Sequence, residues 1–494
     1  MSEVQVTNGA LRGVRESGVA VFRGIPYAAP PVGPNRFAAP QPAKNWDGVR
    51  PAVSFGPPPP QSAAFGRAEA TGDDWLTLNV WSPAPDPAAK LPVMVWIYGG
   101  AYTLGSADRP EYDGGHLARD GNVVLVTFNY RLGMEGFAHL AGAPANRGLL
   151  DQIAALEWVR DNIEAFGGDP TRVTIFGESA GGGSVAALLA MPRAAGLFRG
   201  AIAQSLPGTF FAPDLAADIA AAVAAELDLS PTAADLAAVD PAKLAATGDT
   251  VIAAAAAAAL TDAAAGRPGR WGPAAYRSIL FAPVVDGDTL PTTPWQALSA
   301  GAARDVTLLA GHTRDEHRLF TAMFGPPTPS DTAAALRLLA PTPDSYRDAD
   351  PTQTHELVNS DWLFRMPTLH LADAQVAGAG RAYFYELTWP APGLGGILGA
   401  CHGLDVPLVF GNLTSGQPAL LLGDAPTPEA IELSTRMRSA WTRFAADGDP
   451  GWPAYTPEQS LTQIFDATCP VTPYPEQSSR QIWQNHPFSP LTLS

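Results

Sequence analysis

Three stretches of this chain are apolar almost without a break: Val93-Met94-Val95-Trp96-Ile97-Tyr98, Val123-Val124-Leu125-Val126-Thr127-Phe128-Asn129-Tyr130 and Val173-Thr174-Ile175-Phe176. A strand with one wet face alternates apolar and polar residues, whereas a continuous run of strand length is buried on both faces. Between the second and third runs, Leu149, Ile153, Leu156, Val159 and Ile163 recur at helical spacing, and Phe166-Gly167-Gly168-Asp169-Pro170 stops that helix. A further strand is expected at Ala201-Ile202-Ala203. Strands that alternate with helices give an α/β fold with a mostly parallel central sheet covered on both faces, and its chemistry falls at the strand C-termini.

The rest of the chain fits around that sheet. Short β runs open it, at Val4 to Thr7 and Val19 to Phe22, followed by a proline-rich loop to Trp46; disorder is expected within 51–70. Leu76 to Trp81 alternates with period two. Residues 213–304 are alanine-rich and expected to be mostly helical, as an insertion over the sheet edge. Strands resume at Asp305 to Gly311 and Tyr383 to Leu387, and a last helix, about Glu429 to Phe444, covers the sheet. With 494 residues, 46% of them hydrophobic, and no linker-like segment, the expectation is one domain over 1–494 with cap-like insertions at about 206–304 and 317–380.

The formal net charge of −17 argues against a nucleic-acid or anionic-membrane partner, since both need clustered Lys and Arg. The start, Met1-Ser2-Glu3-Val4, has no basic and apolar leader, and no run of about 18 apolar residues is apparent, so a cytoplasmic protein is expected. Cys401 and Cys469 could pair but make no framework. No clustered His/Cys/carboxylate motif suggests a metal, and no cofactor is expected. Oligomeric state is not legible.

The turn Gly177-Glu178-Ser179-Ala180-Gly181 follows the third strand and precedes a small-residue helix, Ser184 to Ala190. A serine hydroxyl is a poor nucleophile unless it is held exposed beside a base and near N–H donors for the developing oxyanion. A strand-to-helix elbow supplies both conditions. Such a serine needs a histidine, and the histidine needs an acid. Of the eight histidines, His116 and His139 precede Ser179, His355 and His370 fall in helical segments, and His486 lies in a Pro-flanked tail. His312 and His317 flank the acid candidates. His402 remains, after the strand at Tyr383 and a glycine-rich loop. Asp315 and Glu316 directly follow a strand; one should point inward and the other into solvent or a salt bridge, and spacing does not choose between them.

The chain resembles the type-B carboxylesterases, the family of cholinesterases and bacterial para-nitrobenzyl esterases. The similarity runs from Phe22-Arg23-Gly24-Ile25-Pro26-Tyr27-Ala28 through Asn129-Tyr130-Arg131-Leu132-Gly133, Asp151-Gln152, Phe166 to Pro170 and Gly177 to Gly182, then Pro283-Val284-Val285-Asp286-Gly287, Asp315-Glu316 and His402-Gly403-Leu404-Asp405-Val406-Pro407. The resemblance implies an α/β-hydrolase fold and a serine carboxylesterase that cleaves small-molecule esters through an acyl-enzyme. It implies Ser179, Glu316 and His402 as the catalytic triad, and the N–H groups of Gly100, Ala101 and Ala180 as oxyanion donors. Amide or carbamate hydrolysis on the same triad is the alternative, and a non-catalytic binding protein of this fold is a remote one. Two departures stand out: Trp75 where the family commonly has a disulfide cysteine, and Gln204-Ser205-Leu206 where it has Gln-Ser-Gly. Glu178 and Ser205 are candidates to support the site. In relatives, tandem small residues such as Gly99-Gly100-Ala101 leave room for bulky alcohols, and Gly100→Val is expected to crowd that space. Pocket walls are expected from 55–75, 206–280 and 317–370.

Overall fold

The computed structural model describes residues 2–63, 72–267, 269–416, 418–423 and 425–493. Its strands are β1 (Ser2–Val6), β2 (Gly9–Glu16), β3 (Val19–Pro26), β4 (Val49–Pro51), β5 (Thr77–Ser82), β6 (Leu91–Ile97), β7 (Val124–Phe128), β8 (Gly168–Glu178), β9 (Gly200–Gln204), β10 (Thr307–Thr313), β11 (Ala382–Leu387), β12 (Leu461–Phe465) and β13 (Val471–Pro473). They form one sheet in the order β1-β2-β3-β5-β7-β6-β8-β9-β10-β11-β12-β13, with β4 beside β2. From β7 to β12 every pairing is parallel, and both ends of the sheet are antiparallel apart from β4, which runs parallel to β2.

The continuous apolar runs do lie in the middle of this sheet, buried on both faces. So does β5, despite its alternation. Its polar Asn79 does not face water: the side-chain oxygen accepts from the Gly24 N–H at 3.0 Å, and the amide donates to Thr127 Oγ1 at 3.0 Å. Nothing in the sequence marks β2, β4, β12 or β13. β2 is broken up by Gly13 and arginines, β4 is three residues long, and the other two are short strands near the far end of the sheet.

Register brings the chemistry to one edge. Ile97 is level with Gly177, Gly177 with Ala203, and Gln204 with Gly311. The loops leaving β6, β8, β9 and β10 therefore emerge side by side. Behind them, helix Arg147–Asn162 carries Asp151, whose carboxylate accepts from Arg131 Nε at 2.8 Å, from Nη2 at 2.7 Å and from the Arg131 backbone N–H at 3.0 Å. Both side chains of that ion pair are fully buried.

The helix after Ser179 starts at Ala180, four residues earlier than its sequence suggests, because Gly181 and Gly182 are there for close packing. A Cβ on Gly181 would strike the Ile97 carbonyl, and one on Gly182 would come within 2.6 Å of the Gln204 carbonyl. The alanine-rich region is helical at Pro213–Ala225, Ala233–Leu236, Pro241–Ala264, Gly272–Tyr276 and Pro294–Ser299. Helix Pro241–Ala264 is not apolar throughout, since Lys243, Asp249 and Asp262 interrupt it, yet by length and composition it is apolar enough to cross a membrane, with a mean hydropathy of 1.5. That apolarity comes mostly from alanine methyls, which bury little area each. Cys401 and Cys469 are both free thiols and do not pair. Of the segment expected to be disordered, 51–63 is described and 64–70 lies outside the described residues.

Candidate active site

Ser179 sits at the junction of β8 and helix Ala180–Ala190 with φ 56° and ψ −126°, a conformation an L-residue adopts only where its surroundings impose it. Its N–H donates to the Gln204 carbonyl at 3.0 Å and its carbonyl accepts from the Gly183 N–H at 2.9 Å, which pins the elbow from both sides. The flanking glycines have a steric cause. A Cβ on Gly177 would lie 2.6 Å from the Gly181 carbonyl carbon, so neither position tolerates a side chain while the strand and helix stay this close.

Across the edge, the loop after β10 separates the two adjacent carboxylates. Glu316 is fully buried; its Oε1 accepts from the Thr313 N–H at 3.0 Å, and its Oε2 meets His402 Nδ1 at 2.6 Å. Burial alone would push its carboxyl up, but His402 outweighs that and holds it below the usual range. Asp315 turns the other way, accepting from the Ala400 N–H at 2.9 Å and pairing with Arg314 and Arg318. Glu316 is thus the carboxylate that fixes the His402 ring, and Asp315 ties down the loop that carries it.

The other ring nitrogen of His402 is engaged too. Nε2 lies 3.1 Å from Glu178 Oε1, and among the described residues no hydrogen bond joins His402 to Ser179 Oγ. Burial raises the Glu178 carboxyl, to about 8, while His402 opposes the rise. His402 is raised as well: burial works against its charged form, but Glu178 and Glu316 together outweigh it. Each of the two groups thus acts on the other's proton affinity across the 3.1 Å contact. Catalytic hydrogen bonds in a ligand-free enzyme are commonly loose and tighten once substrate is bound. Asp405, one residue of the His402 block to which the sequence reading gave no role, faces the same cluster and accepts from Tyr385 Oη at 2.7 Å and Gln204 Nε2 at 2.9 Å. Ser205 Oγ is buried with no hydrogen bond of ordinary geometry, yet lies near enough to Glu316 to help hold its pKa down.

Gly100, Ala101 and Ala180 stand at the same edge. Among the described residues none of their N–H groups donates within the chain, while the Gly100 carbonyl accepts from Thr103 and Leu104 at 3.0 and 3.1 Å and closes the loop after β6. Donors left free at a helix start and a tight loop are the kind an oxyanion takes up. The expectation for Gly100→Val is corrected here. A Cβ at Gly100, whose φ is 120°, would run into the Leu104 carbonyl, so the substitution would break the loop rather than crowd the space beside the serine.

Phe364 stacks on the His402 ring with centroids 4.1 Å apart, and Phe320 lies 5.6 Å from it. Both come from the 317–380 segment. Phe364 rides on a π-helical turn, Asp361–Arg365, a distortion that often marks functional positions. Nothing in the apolar Trp362-Leu363-Phe364 sequence distinguishes this ring from ordinary core. A separate crevice is lined by Pro60, Gln61, Thr103, Leu244 and Phe281, and no residue of the Ser179–His402 cluster is part of it.

The carboxylesterase family model matches residues 1–336 and 337–483. The chain is 39% identical over 495 residues to the para-nitrobenzyl esterase of Bacillus subtilis (strain 168), covering 96% of each. It is 31% identical over 530 residues to the acetylcholinesterase of Bungarus fasciatus, covering 92% of this chain and 81% of that one. The crystal structure of the Geobacillus stearothermophilus carboxylesterase EST55 superposes with a TM-score of 0.85 at 36% identity, over 98% of this chain and 100% of that one.

Proposed function

The chain belongs to the carboxylesterase family, and from that membership we propose that it hydrolyses small-molecule carboxylic esters with Ser179 as nucleophile, His402 as base and Glu316 as the acid that orients the base. The observation that carries the residue assignment is the 2.6 Å contact between a fully buried Glu316 and His402 Nδ1, with Glu316 held in turn by the Thr313 N–H. A carboxylate fixed in that way selects the tautomer with the proton on Nδ1, so that Nε2 is the basic nitrogen facing the elbow.

With substrate bound, His402 Nε2 takes the Ser179 Oγ proton as the oxygen attacks the ester carbonyl. The tetrahedral oxyanion is received by the N–H groups of Gly100, Ala101 and Ala180. His402 then gives its proton to the departing alcohol, and water, deprotonated by the same nitrogen, releases the acid from Ser179. Segments 206–304 and 317–380 wall the site within a single catalytic unit, which accords with Phe320 and Phe364 packed at His402. A cytoplasmic location is in keeping with two free thiols and Trp75 in place of a cysteine.

The paired carboxylates test the assignment. Glu316→Gln should lower kcat by about 10³–10⁴, the scale seen when a triad acid loses its charge, with KM little changed. Asp315→Asn should chiefly lower thermal stability, because it loosens the Ala400 loop. The opposite ranking in kcat would move the acid to Asp315.

A further inference from the structure

Among the described residues, the three buried arginines are spoken for, and the half-buried Arg277 is not. Arg131 pairs with Asp151, Arg365 with Asp361 and Glu476, and Arg147 donates to the carbonyls of Glu135, Met134, Pro144 and Ala138. Arg277, just after helix Gly272–Tyr276, has no side-chain hydrogen bond and no ion pair among the described residues. Its Nε is buried without an acceptor, while the two terminal nitrogens keep some access to solvent. Leaving a guanidinium partly desolvated and unpaired is costly, and carboxylates are plentiful in a chain of net charge −17.

Its surroundings keep it unpaired. The guanidinium lies over the Phe320 ring, 5.8 Å from the centroid, and that ring is 5.6 Å from His402 and stacked on Phe364. Phe320 also stands 5.5 Å from His317, which packs against His355. Both imidazoles are held neutral, first by burial and then by the Arg277 charge itself, so neither is a counter-ion. The nearby carboxyl, Glu356, accepts on Oε1 from the His317 N–H at 3.1 Å and from Ser360 Oγ at 3.0 Å, burial raises it to about 7, and among the described residues no ion pair joins it to Arg277. Arg277 is lowered by burial to about 10 and stays charged at neutral pH. The arrangement is a planar cation with free donors, one aromatic ring away from His402.

We propose that Arg277 is a substrate-recognition residue that binds the carboxylate of an anionic ester, such as the hemiester of a dicarboxylic acid, whose scissile carbonyl lies at Ser179. A guanidinium fork matches a carboxylate with two parallel hydrogen bonds, and the Phe320 face accommodates the methylenes between the two ends. The proposal rests on the Ser179–His402 assignment and specifies its substrate class. The anion sits on either the acyl or the alcohol side of the ester, and paired substrates separate the two.

Wild type and Arg277→Gln are compared on mono-p-nitrophenyl glutarate against p-nitrophenyl pentanoate for the acyl side, and on 5-acetoxypentanoate against pentyl acetate for the alcohol side. Wild type should prefer the anionic member of one pair. The variant should lose about 10- to 100-fold in kcat/KM on that member, the range for a hydrogen-bonded charge, and leave the neutral esters essentially unchanged. Equal losses on anionic and neutral esters, or no loss, would overturn the proposal and give Arg277 a packing role on Phe320. Should the variant not fold, wild type decides alone: glutarate should inhibit p-nitrophenyl acetate hydrolysis competitively where glutaramide does not, and equal inhibition by the two overturns the proposal. A Ser179→Ala control that retains turnover would instead indict the nucleophile, whatever Arg277 does.

Discussion

Glu178 and His402 carry the least expected contact in the site. His402, the proposed base, is in contact with the carboxyl next to Ser179, 3.1 Å away. The working form of His402 is neutral, so activity is lost as pH falls through its pKa. A pKa raised by Glu178 and Glu316 places that loss at higher pH than the ordinary value of about 6.5 would. Glu178→Gln removes one of the two charges and should move the acid limb of kcat/KM to lower pH, as measured on a small primary ester. An unmoved limb would mean that Glu178 does not share the proton. Sequence placed Glu178 beside the nucleophile but could not tell that its side chain, leaving the end of β8, would meet Nε2. Asp315 and Glu316 show the same limit. Adjacent carboxylates leaving a strand diverge, and which one turns inward is decided by where the Ala400 N–H and the Thr313 N–H happen to lie. Only the resemblance chose between them.

At the scale of elements, the elbow and the loops beside it were legible because close backbone approach demands glycine at fixed positions, and that leaves a mark in the sequence. The middle strands were legible because burial on both faces leaves a continuous apolar run. β2, β12 and β13 left no such mark, being short or interrupted, and they depend on pairing partners for their identity. Behind the elbow edge, the Arg131–Asp151 pair joins the segment after β7 to helix Arg147–Asn162. Arg131→Met would strand the Asp151 carboxylate in a dry interior, and breaking a buried pair in this way costs about 3–5 kcal/mol. Denaturant unfolding should show that loss. A change below about 1 kcal/mol, the range of exposed pairs, would mean that water reaches Asp151.

Over the whole molecule, the parallel sheet gathers four loops at one edge, and the site is assembled from residues as far apart in sequence as Gly100 and His402. That gathering follows from handed βαβ connections and register, which sequence periodicity already implies. The walls do not follow from it. Phe320, Phe364 and Arg277 come from segments whose sequence looks like ordinary packing, and the meeting of the two rings at His402, with Arg277 over Phe320, is a property of the fold alone. The central claim is that Ser179 becomes acylated. Rapid quenching of the reaction with a p-nitrophenyl ester, followed by mass mapping of the peptides, should find the acyl group on Ser179, and Ser179→Ala should lose both the adduct and about four to six orders of magnitude in turnover. An adduct on another residue, or a Ser179→Ala variant that keeps a tenth of the wild-type rate, would contradict the account.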